Sequence, residues 1–286
     1  MNSTTKQNIT PELRQWIVDQ AKAGRSPDDV LKSMIDSGWT EDVAIDALEN
    51  TLQGFLKDHA KANGLPVPVP VPEPDLLDAP GSIVVDGHEV KIVMAMRNPR
   101  VVVFGGLMTE AECDELVAQA RQRLARSETV VTTTGASEVN VARTSEGMFF
   151  GRAENPICAR VEERIAKLLN WPLDNGEGLQ ILRYQPGAEY KPHYDYFDPA
   201  QPGTPTILKR GGQRVGTLVV YLNSPKRGGA TTFPDVHLEV APVKGNAVFF
   251  SYDRPHPMTR TLHGGAPVLE GEKWVATKWM REGKFE

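Results

Sequence analysis

The chain has 286 residues, enough for one large domain or two unequal domains, each with its own core. Its 40% hydrophobic and 24% charged residues are typical of a soluble globular protein, and no apolar run approaches the ~18 residues of a transmembrane helix. A formal net charge of -5 argues against a broad electrostatic affinity for nucleic acid.

The compartment is predicted from the cysteines and the N-terminus. Cys113 and Cys158 are the only two cysteines, and both fall in amphipathic helical patterns. This placement favours small buried residues in a reducing compartment over a disulfide. The first residues lack the apolar core of a secretory signal. We therefore predict a cytoplasmic protein.

Three helices are predicted between residues 10 and 60. Thr10, Ser26 and Thr40 are each followed by a residue that is favoured in the first helical turn. Apolar residues then recur at helical spacing, and Gly24 and Gly38 stand where the first two helices should end.

We assign residues 1–62 to a small all-α three-helix module. Through the stretch "DSGWTEDVAIDALENT" it resembles modules of the ubiquitin-associated type. That pattern is short and common, so two roles stay open. The helices could bind a protein partner, or they could form a dimerisation or packing element.

A proline-rich linker is predicted over residues 63–82. The segment "LPVPVPVPEPDLLDAP" has six prolines in sixteen residues. Proline fixes its own φ angle and disfavours helix in the residue before it, so alternation with valine predicts extended polyproline II. We interpret the segment as a semi-rigid spacer ahead of a second domain at residues 83–286.

The second domain begins with strands and two helices and continues almost entirely as strands. Thr109 and Glu112 predict a capping box at the start of the first helix, and "NPICARVEERIAKLL" predicts the second. After residue 178 strand-helix alternation ceases, which argues against a parallel doubly wound sheet. The order predicts an α+β fold in which helices pack on one side of an antiparallel barrel or jelly roll.

The stretch "GAEYKPHYDYFDP" carries His193 and Asp195 among aromatic residues. Side chains two residues apart in a strand point to the same face, so the pair could bind a metal ion. The pair could equally be the polar half of an ordinary strand. A metal site with open positions needs a third ligand, for which the context of His263 is the best. The other histidines of the second domain fit a turn, a polar strand face and a loop: His88, His237 and His256.

Two histidines and one carboxylate form the open facial site of non-haem iron(II) oxygenases. A co-substrate such as 2-oxoglutarate would bind the metal through its keto acid and would need a cation for its far carboxylate. Lys273, ten residues after His263, could supply that charge.

Residues 97–281 resemble the catalytic domain of the prolyl 4-hydroxylase family of Fe(II)- and 2-oxoglutarate-dependent dioxygenases. The resemblance is carried by four stretches that are specific in combination: "ARTSEGMFF", "GLQILRYQPGAEYKPHYDYF", "TLVVYLNSPKRGGATTFP" and "LHGGAPVLEGEKWVATKW". It implies a double-stranded β-helix (jelly-roll) core with packing helices.

The resemblance also implies a reaction. The enzyme would hydroxylate peptidyl proline at its 4-position in a protein or peptide substrate and convert 2-oxoglutarate to succinate and CO2. Fe(II), 2-oxoglutarate and O2 would be required, with ascorbate as the expected reductant. Two alternatives stay open, namely the same chemistry on another side chain or small molecule, and a non-catalytic binding or sensing module.

Site residues follow from the resemblance position by position. It makes His193, Asp195 and His263 the iron ligands. Lys273 would anchor the distal carboxylate of 2-oxoglutarate, with Tyr184 and Thr232 as further contacts to that molecule. The peptide channel would be lined by Arg143, Ser145, Glu177, Tyr190, Arg214 and Trp279, although Tyr190 and Trp279 could also be core aromatics.

One residue departs from the family pattern. Family members commonly read K-W-x-H at the end of the final strand, and this chain has "KWMR" with Arg281 in place of the histidine. Because that position lies toward the substrate, the identity of the substrate is left in doubt. The sequence also predicts that residues 197–214, rich in Gly and Pro, form a lid over the substrate. It leaves open whether the proline-rich linker enters the channel itself.

Overall fold

The protein is described by a computed structural model that covers residues 7–126, 128–130, 137–139 and 144–286. The chain separates into two compact units, Met1–Pro68 and Val69–Glu286. None of the helices in the described ranges is both long enough and apolar enough to cross a membrane.

The first unit contains three helices, as predicted. The side chains of Thr10 and Ser26 accept hydrogen bonds from backbone N–H groups in the first turns of their helices, whereas Thr40 makes no such bond. The unit has its own apolar core, which includes Ile17 and Met34. The helices are α1 Pro11–Lys22, α2 Pro27–Asp36 and α3 Glu41–Ala62.

The second unit is a mixed structure dominated by antiparallel strands. Its helices are α4 Glu110–Arg121, α5 Pro156–Leu168 and α6 Thr204–Ile207. Its strands are β1 Ser82–Val85, β2 His88–Met96, β3 Arg100–Gly105, β4 Ala125–Arg126, β5 Glu128–Val130, β6 Ser137–Val139, β7 Glu146–Phe149, β8 Gln180–Tyr184, β9 Tyr190–His193, β10 Arg214–Tyr221, β11 Arg227–Gly228, β12 Thr231–Phe233, β13 Leu238–Val240, β14 Ala247–Ser251, β15 His263–Gly265, β16 Val268–Glu270 and β17 Lys273–Arg281.

Two antiparallel sheets form the jelly roll. The large sheet has the order β1-β2-β3-β14-β10-β17-β8-β7-β4, and the small sheet has the order β13-β12-β15-β9. The remaining described strands form the two-stranded sheets β11-β16 and β5-β6. A core cluster with residues from both the large and the small sheet includes Tyr184, Phe233 and Phe250.

The other face of the large sheet is covered by helices. Alternate residues of its central strands, such as Phe104 of β3 and Phe249 of β14, share a core with Leu116 of α4 and Ile165 of α5. Because strand side chains alternate between faces, the same strands supply both cores. The predicted α+β jelly roll with packing helices is confirmed.

A buried ion cluster joins the two covering helices. Glu112 of α4 completes the predicted capping box with Thr109 and accepts hydrogen bonds of 2.9 Å from both end nitrogens of Arg164 in α5. Burial opposes the charge of Glu112, but Arg164, Thr109 N–H and Arg160 lower its pKa to about 2. Cys113 and Cys158 lie close by in these helices as buried free thiols, as predicted.

The proline-rich segment is packed against the second unit from Val69 onward. The N–H of Val69 donates to the carbonyl of Asp253 at 2.8 Å, and the N–H of Glu73 donates to the carbonyl of Leu169 at 2.9 Å. Pro72 is buried. From Val69 onward the segment is therefore hydrogen-bonded to the second unit.

Candidate active site

Strand pairing brings the two candidate histidines together. In the small sheet β9 pairs with β15 so that His193 lies opposite His263. Asp195 follows two residues later in a bend beyond the end of β9, so the chain turns the carboxylate back toward both rings. The Nε2 atom of each histidine lies 3.5 Å from an oxygen of Asp195. Candidate ligand atoms of the three residues all lie within 4.8 Å of one another.

Backbone carbonyls fix the orientation of both imidazole rings. The Nδ1 atom of His193 lies 2.8 Å from the carbonyl oxygen of Lys191, and the Nδ1 atom of His263 lies 3.0 Å from that of Thr261. Since a carbonyl oxygen only accepts, Nδ1 must carry the proton, which leaves the Nε2 lone pair for a metal ion.

The protonation states of His263 and Asp195 also suit metal binding. Burial lowers the pKa of His263 to about 4 against the opposing effect of Asp195, so the ring is neutral at pH 7. Burial alone would raise the pKa of Asp195, but His263 and His193 hold it well below its usual range. Two imidazoles with one carboxylate are the donor set of open iron(II) sites.

A cavity opens beside the triad. Its wall is mostly apolar, with a few polar groups that converge on the interior. Besides the triad, the lining consists of Leu182, Tyr184, Tyr190, Thr217, Val219, Thr231, Gly264, Gly265, Lys273, Val275, Thr277 and Trp279.

Lys273 supplies a buried positive charge in this cavity. It starts β17, opposite Tyr184 of β8, and is 4% exposed. Its Nζ atom lies 5.5 Å from the Tyr184 ring centre and 5.6 Å from that of Tyr221. Burial lowers the pKa of Lys273 to about 8, and no carboxylate within the described ranges forms an ion pair with it. The cation is thus placed to receive the carboxylate of a bound molecule.

The two adjacent threonines of β12 are placed differently beside Lys273. Thr231, and not Thr232, lines the cavity, and Tyr221 donates to its hydroxyl at 2.8 Å. The hydroxyl of Thr232 lies 3.4 Å from the carbonyl of Gly264. Adjacent residues of a strand face opposite sides, so only one of the two threonines can point into the cavity.

A second charged cluster lies behind Trp279. Glu177 is buried and accepts hydrogen bonds from Arg214 at 2.7 and 3.0 Å and from Arg281 at 2.7 Å. The guanidinium of Arg214 lies over the ring of Trp279, with its central carbon 3.9 Å from the ring centre. Although burial opposes the charge of Glu177, Arg214 and Arg281 keep its pKa below the usual value.

Arg281 occupies the interior of this cluster, with 4% of its surface exposed. Besides Glu177 it binds the carbonyl of Gly212 at 2.7 Å, near the end of the predicted lid segment. Its charge is therefore used within the protein, where it ties the final strand to Glu177 and to the base of that segment.

The other residues predicted to line the peptide channel differ in their position relative to the cavity. Tyr190 lines the cavity, and its ring stacks on His193 with 3.7 Å between ring centres. Ser145 is fully buried and is not among the residues that line the cavity. Arg143 lies outside the described residues.

Sequence reasoning missed several residues of the cavity wall. Thr217, Val219 and Tyr221 alternate along β10, so the first two line the cavity and the third supports Thr231. The alternation in "RVGTLVVYLN" places these three residues on one face, but counting from Arg214 gives the opposite face, because the pairing register shifts between Arg214 and Gly216. Tyr252, which contacts Thr217, carried no comparable signal.

Comparisons with known proteins agree with this geometry. Residues 179–281 match the 2OG-Fe(II) oxygenase superfamily. Prolyl 4-hydroxylase 2 of Arabidopsis thaliana is 35% identical over 236 residues, which cover 74% of this chain and 76% of that protein. Prolyl 4-hydroxylase 1 of the same plant is 41% identical over 211 residues, which cover 68% and 72%. The solved 2OG complex of a viral collagen prolyl hydroxylase from Paramecium Bursaria Chlorella virus-1 is 30% identical, with coverage of 63% and 95% and a TM-score of 0.49.

The jelly roll, the His-Asp-His cluster and the superfamily match define a dioxygenase that depends on Fe(II) and 2-oxoglutarate. Within that class the chain belongs to the prolyl 4-hydroxylase family, because relatives of that name align with it over more than two thirds of their own length. The family resemblance drawn from the sequence is confirmed.

Proposed function

We propose that this protein hydroxylates peptidyl proline at the 4-position in a protein substrate and couples this reaction to the conversion of 2-oxoglutarate to succinate and CO2. The observation that carries the proposal is one cavity whose wall holds the His193, Asp195 and His263 cluster and the buried Lys273, which has no ion-pair partner among the described residues. A keto acid with two carboxylates matches both features, and proline as the target follows from the named relatives.

His193, Asp195 and His263 would hold the Fe(II) ion, since their donor atoms are already gathered and correctly protonated. Bound Fe(II) with 2-oxoglutarate and O2 supplies the oxidising power for hydroxylation of an unactivated carbon. Lys273 would bind the distal carboxylate, and Tyr184 and Thr231 would complete that end of the site. The apolar wall around them excludes water from the reacting groups.

The substrate side of the cavity is assigned to Tyr190 and Trp279. Trp279 offers an aromatic face toward the cavity, and Arg214 braces the ring from behind. The buried indole N–H of Trp279 has no hydrogen-bond partner among the residues described. A flat, rigid surface of this kind suits the compact ring of proline.

Some parts of the proposal rest on the sequence alone. These are ascorbate as the reductant, the cytoplasmic location, the lid role of residues 197–214 and the partner-binding or dimerisation role of the N-terminal helices. The domain limits 1–62, 63–82 and 83–286 also remain a proposal.

The test uses the full chain with Fe(II), ascorbate and 2-oxoglutarate and a panel of peptides that contain proline. We expect succinate and a peptide that gains one oxygen atom on proline, both lost in His193→Ala. Oxygen addition only to other residues or to small molecules would favour the first alternative. Failure of the wild type to bind Mn(II) and 2-oxoglutarate by calorimetry would favour the non-catalytic module.

A further inference from the structure

Two buried hydroxyl groups are hydrogen-bonded in series to the carboxylate of Asp195. The Thr217 hydroxyl lies 2.7 Å from Oδ2 of Asp195, and the Tyr252 hydroxyl lies 2.9 Å from the Thr217 hydroxyl. Thr217 is fully buried, and Tyr252 is 2% exposed. Neither Thr217 nor Tyr252 is part of the His-Asp-His cluster, so the two hydroxyl groups are an additional structural feature of the site.

The direction of these hydrogen bonds follows from the charge on Asp195. An ionised carboxylate only accepts, so Thr217 must donate its proton to Oδ2. The Thr217 oxygen is then free to accept, and Tyr252 donates to it. A hydrogen bond to a charged acceptor contributes more than one between neutral groups.

The backbone of both donor residues, Thr217 and Tyr252, is held by hydrogen bonds to neighbouring strands. Thr217 lies in the middle of β10, between its neighbours β14 and β17. Tyr252 follows directly after β14, and its N–H donates to the carbonyl of Val215 at 3.0 Å. Asp195 itself lies in a bend beyond the end of β9, where no ladder bond fixes it. The carboxylate therefore depends on side-chain contacts for its orientation.

We propose that Thr217 and Tyr252 are positioning residues of the metal site. Thr217 holds Oδ2 of Asp195 and so orients the carboxylate that would bind the metal, and Tyr252 orients the Thr217 hydroxyl. This inference rests on the metal site of the proposed function but not on the identity of the substrate. Outer hydrogen bonds of this kind typically change metal affinity by ~10- to 100-fold.

The test measures Mn(II) affinity of the metal-stripped full chain by titration calorimetry, without 2-oxoglutarate or peptide. Thr217→Val keeps the β-branched shape and removes the donor, and we expect its dissociation constant to rise ~10- to 100-fold. Thr217→Ser restores the donor and should bind within about threefold of wild type, while Tyr252→Phe should show a smaller loss than Thr217→Val. Thr40→Val, at an exposed residue that precedes α3 in the first unit, is the matched control.

Three outcomes overturn the proposal. Wild-type affinity in Thr217→Val would show that the hydroxyl does not position the ligand. An equal loss in Thr217→Ser and Thr217→Val would point to packing alone. Absence of Mn(II) binding in the wild type would remove the metal site itself. Failure of proline hydroxylation with intact Mn(II) binding would contradict only the proposed substrate.

Discussion

At the scale of single residues, burial sets the protonation of Lys273 and His263, whereas neighbouring charges outweigh burial at Asp195 and Glu177. The pKa values of Lys273 and His263 are both lowered because the two side chains are removed from water. Both groups are left in protonation states that suit ligand binding. The residue types and spacing of the triad and Lys273 were readable from the sequence. The choice between Thr231 and Thr232 was not, because it depends on the exact register of a three-residue strand.

The lowered pKa of Lys273 predicts a pH dependence for 2-oxoglutarate binding. The ammonium group is charged below pH ~8 and neutral above it, so attraction for the distal carboxylate weakens as pH rises. Between pH 7 and 9 we expect the dissociation constant to rise roughly tenfold, as the charged fraction falls. Calorimetric titration of the Mn(II)-loaded protein measures this.

Lys273→Arg is the control for that titration, because an arginine stays charged over this range. Its dissociation constant should change little between the two pH values, even if its affinity is lower throughout. An equally steep rise in the arginine variant would assign the pH dependence to another group.

Arg281 illustrates a residue whose position was predicted but whose contacts were not. The sequence showed only that it replaces a family histidine, and the structure shows that it supports Glu177 and Gly212. We predict that Arg281→Met raises KM for the peptide about tenfold, since a charge-assisted hydrogen bond that orients the Arg214–Trp279 wall is lost. KM for 2-oxoglutarate should change less than twofold.

Steady-state kinetics with each substrate varied in turn measures the Arg281 effect. Arg227→Met, at an exposed residue of β11, is the matched control and should change neither constant. Equal increases in both KM values would instead indicate general damage to the cavity.

At the scale of elements, helices were predicted well because their ends carry local signals. The caps at Thr10, Ser26 and Thr109 depend on residues only three positions apart. The position of Asp195 beyond β9 and the packing of Val69 on Asp253 depend on distant residues, which local patterns do not report.

The contact between α4 and α5 predicts a stability effect at Glu112. The pKa of Glu112 in the folded protein, about 2, lies below the ordinary glutamate value of 4.5, so its contribution is complete above pH ~4.5 and is lost as pH falls toward 2. Glu112→Gln at pH 7 should lower the free energy of unfolding of the second unit by roughly 3 kcal/mol, because two buried guanidinium contacts lose their anion.

Urea unfolding at pH 7 and at pH 3 measures the contribution of Glu112. The difference between wild type and Glu112→Gln should shrink at the lower pH. Glu115→Gln, at an exposed position of the same helix, should behave as wild type at both. A Glu112→Gln effect no larger than that of Glu115→Gln would show that the ion cluster does not stabilise the helix pair.

At the scale of the whole molecule, the fold class was predictable because helices precede a long run of strands. Hydrophobic alternation indicated strands but gave no pairing order, so the division into a nine-stranded and a four-stranded sheet was visible only in the structure. That division brings β9 and β15 together in the small sheet and places Lys273 in the large one. The cavity between these groups is therefore a product of the tertiary fold.

The central claim is that this chain joins 2-oxoglutarate oxidation to proline hydroxylation in one site. The most direct measurement is mass spectrometry of both products after a reaction of the full chain with a proline peptide under ¹⁸O₂. We predict labelled oxygen in succinate and in hydroxyproline, with equal amounts of the two products. Labelled succinate without any hydroxyproline across the peptide panel, or hydroxyproline formed without succinate, would contradict the claim.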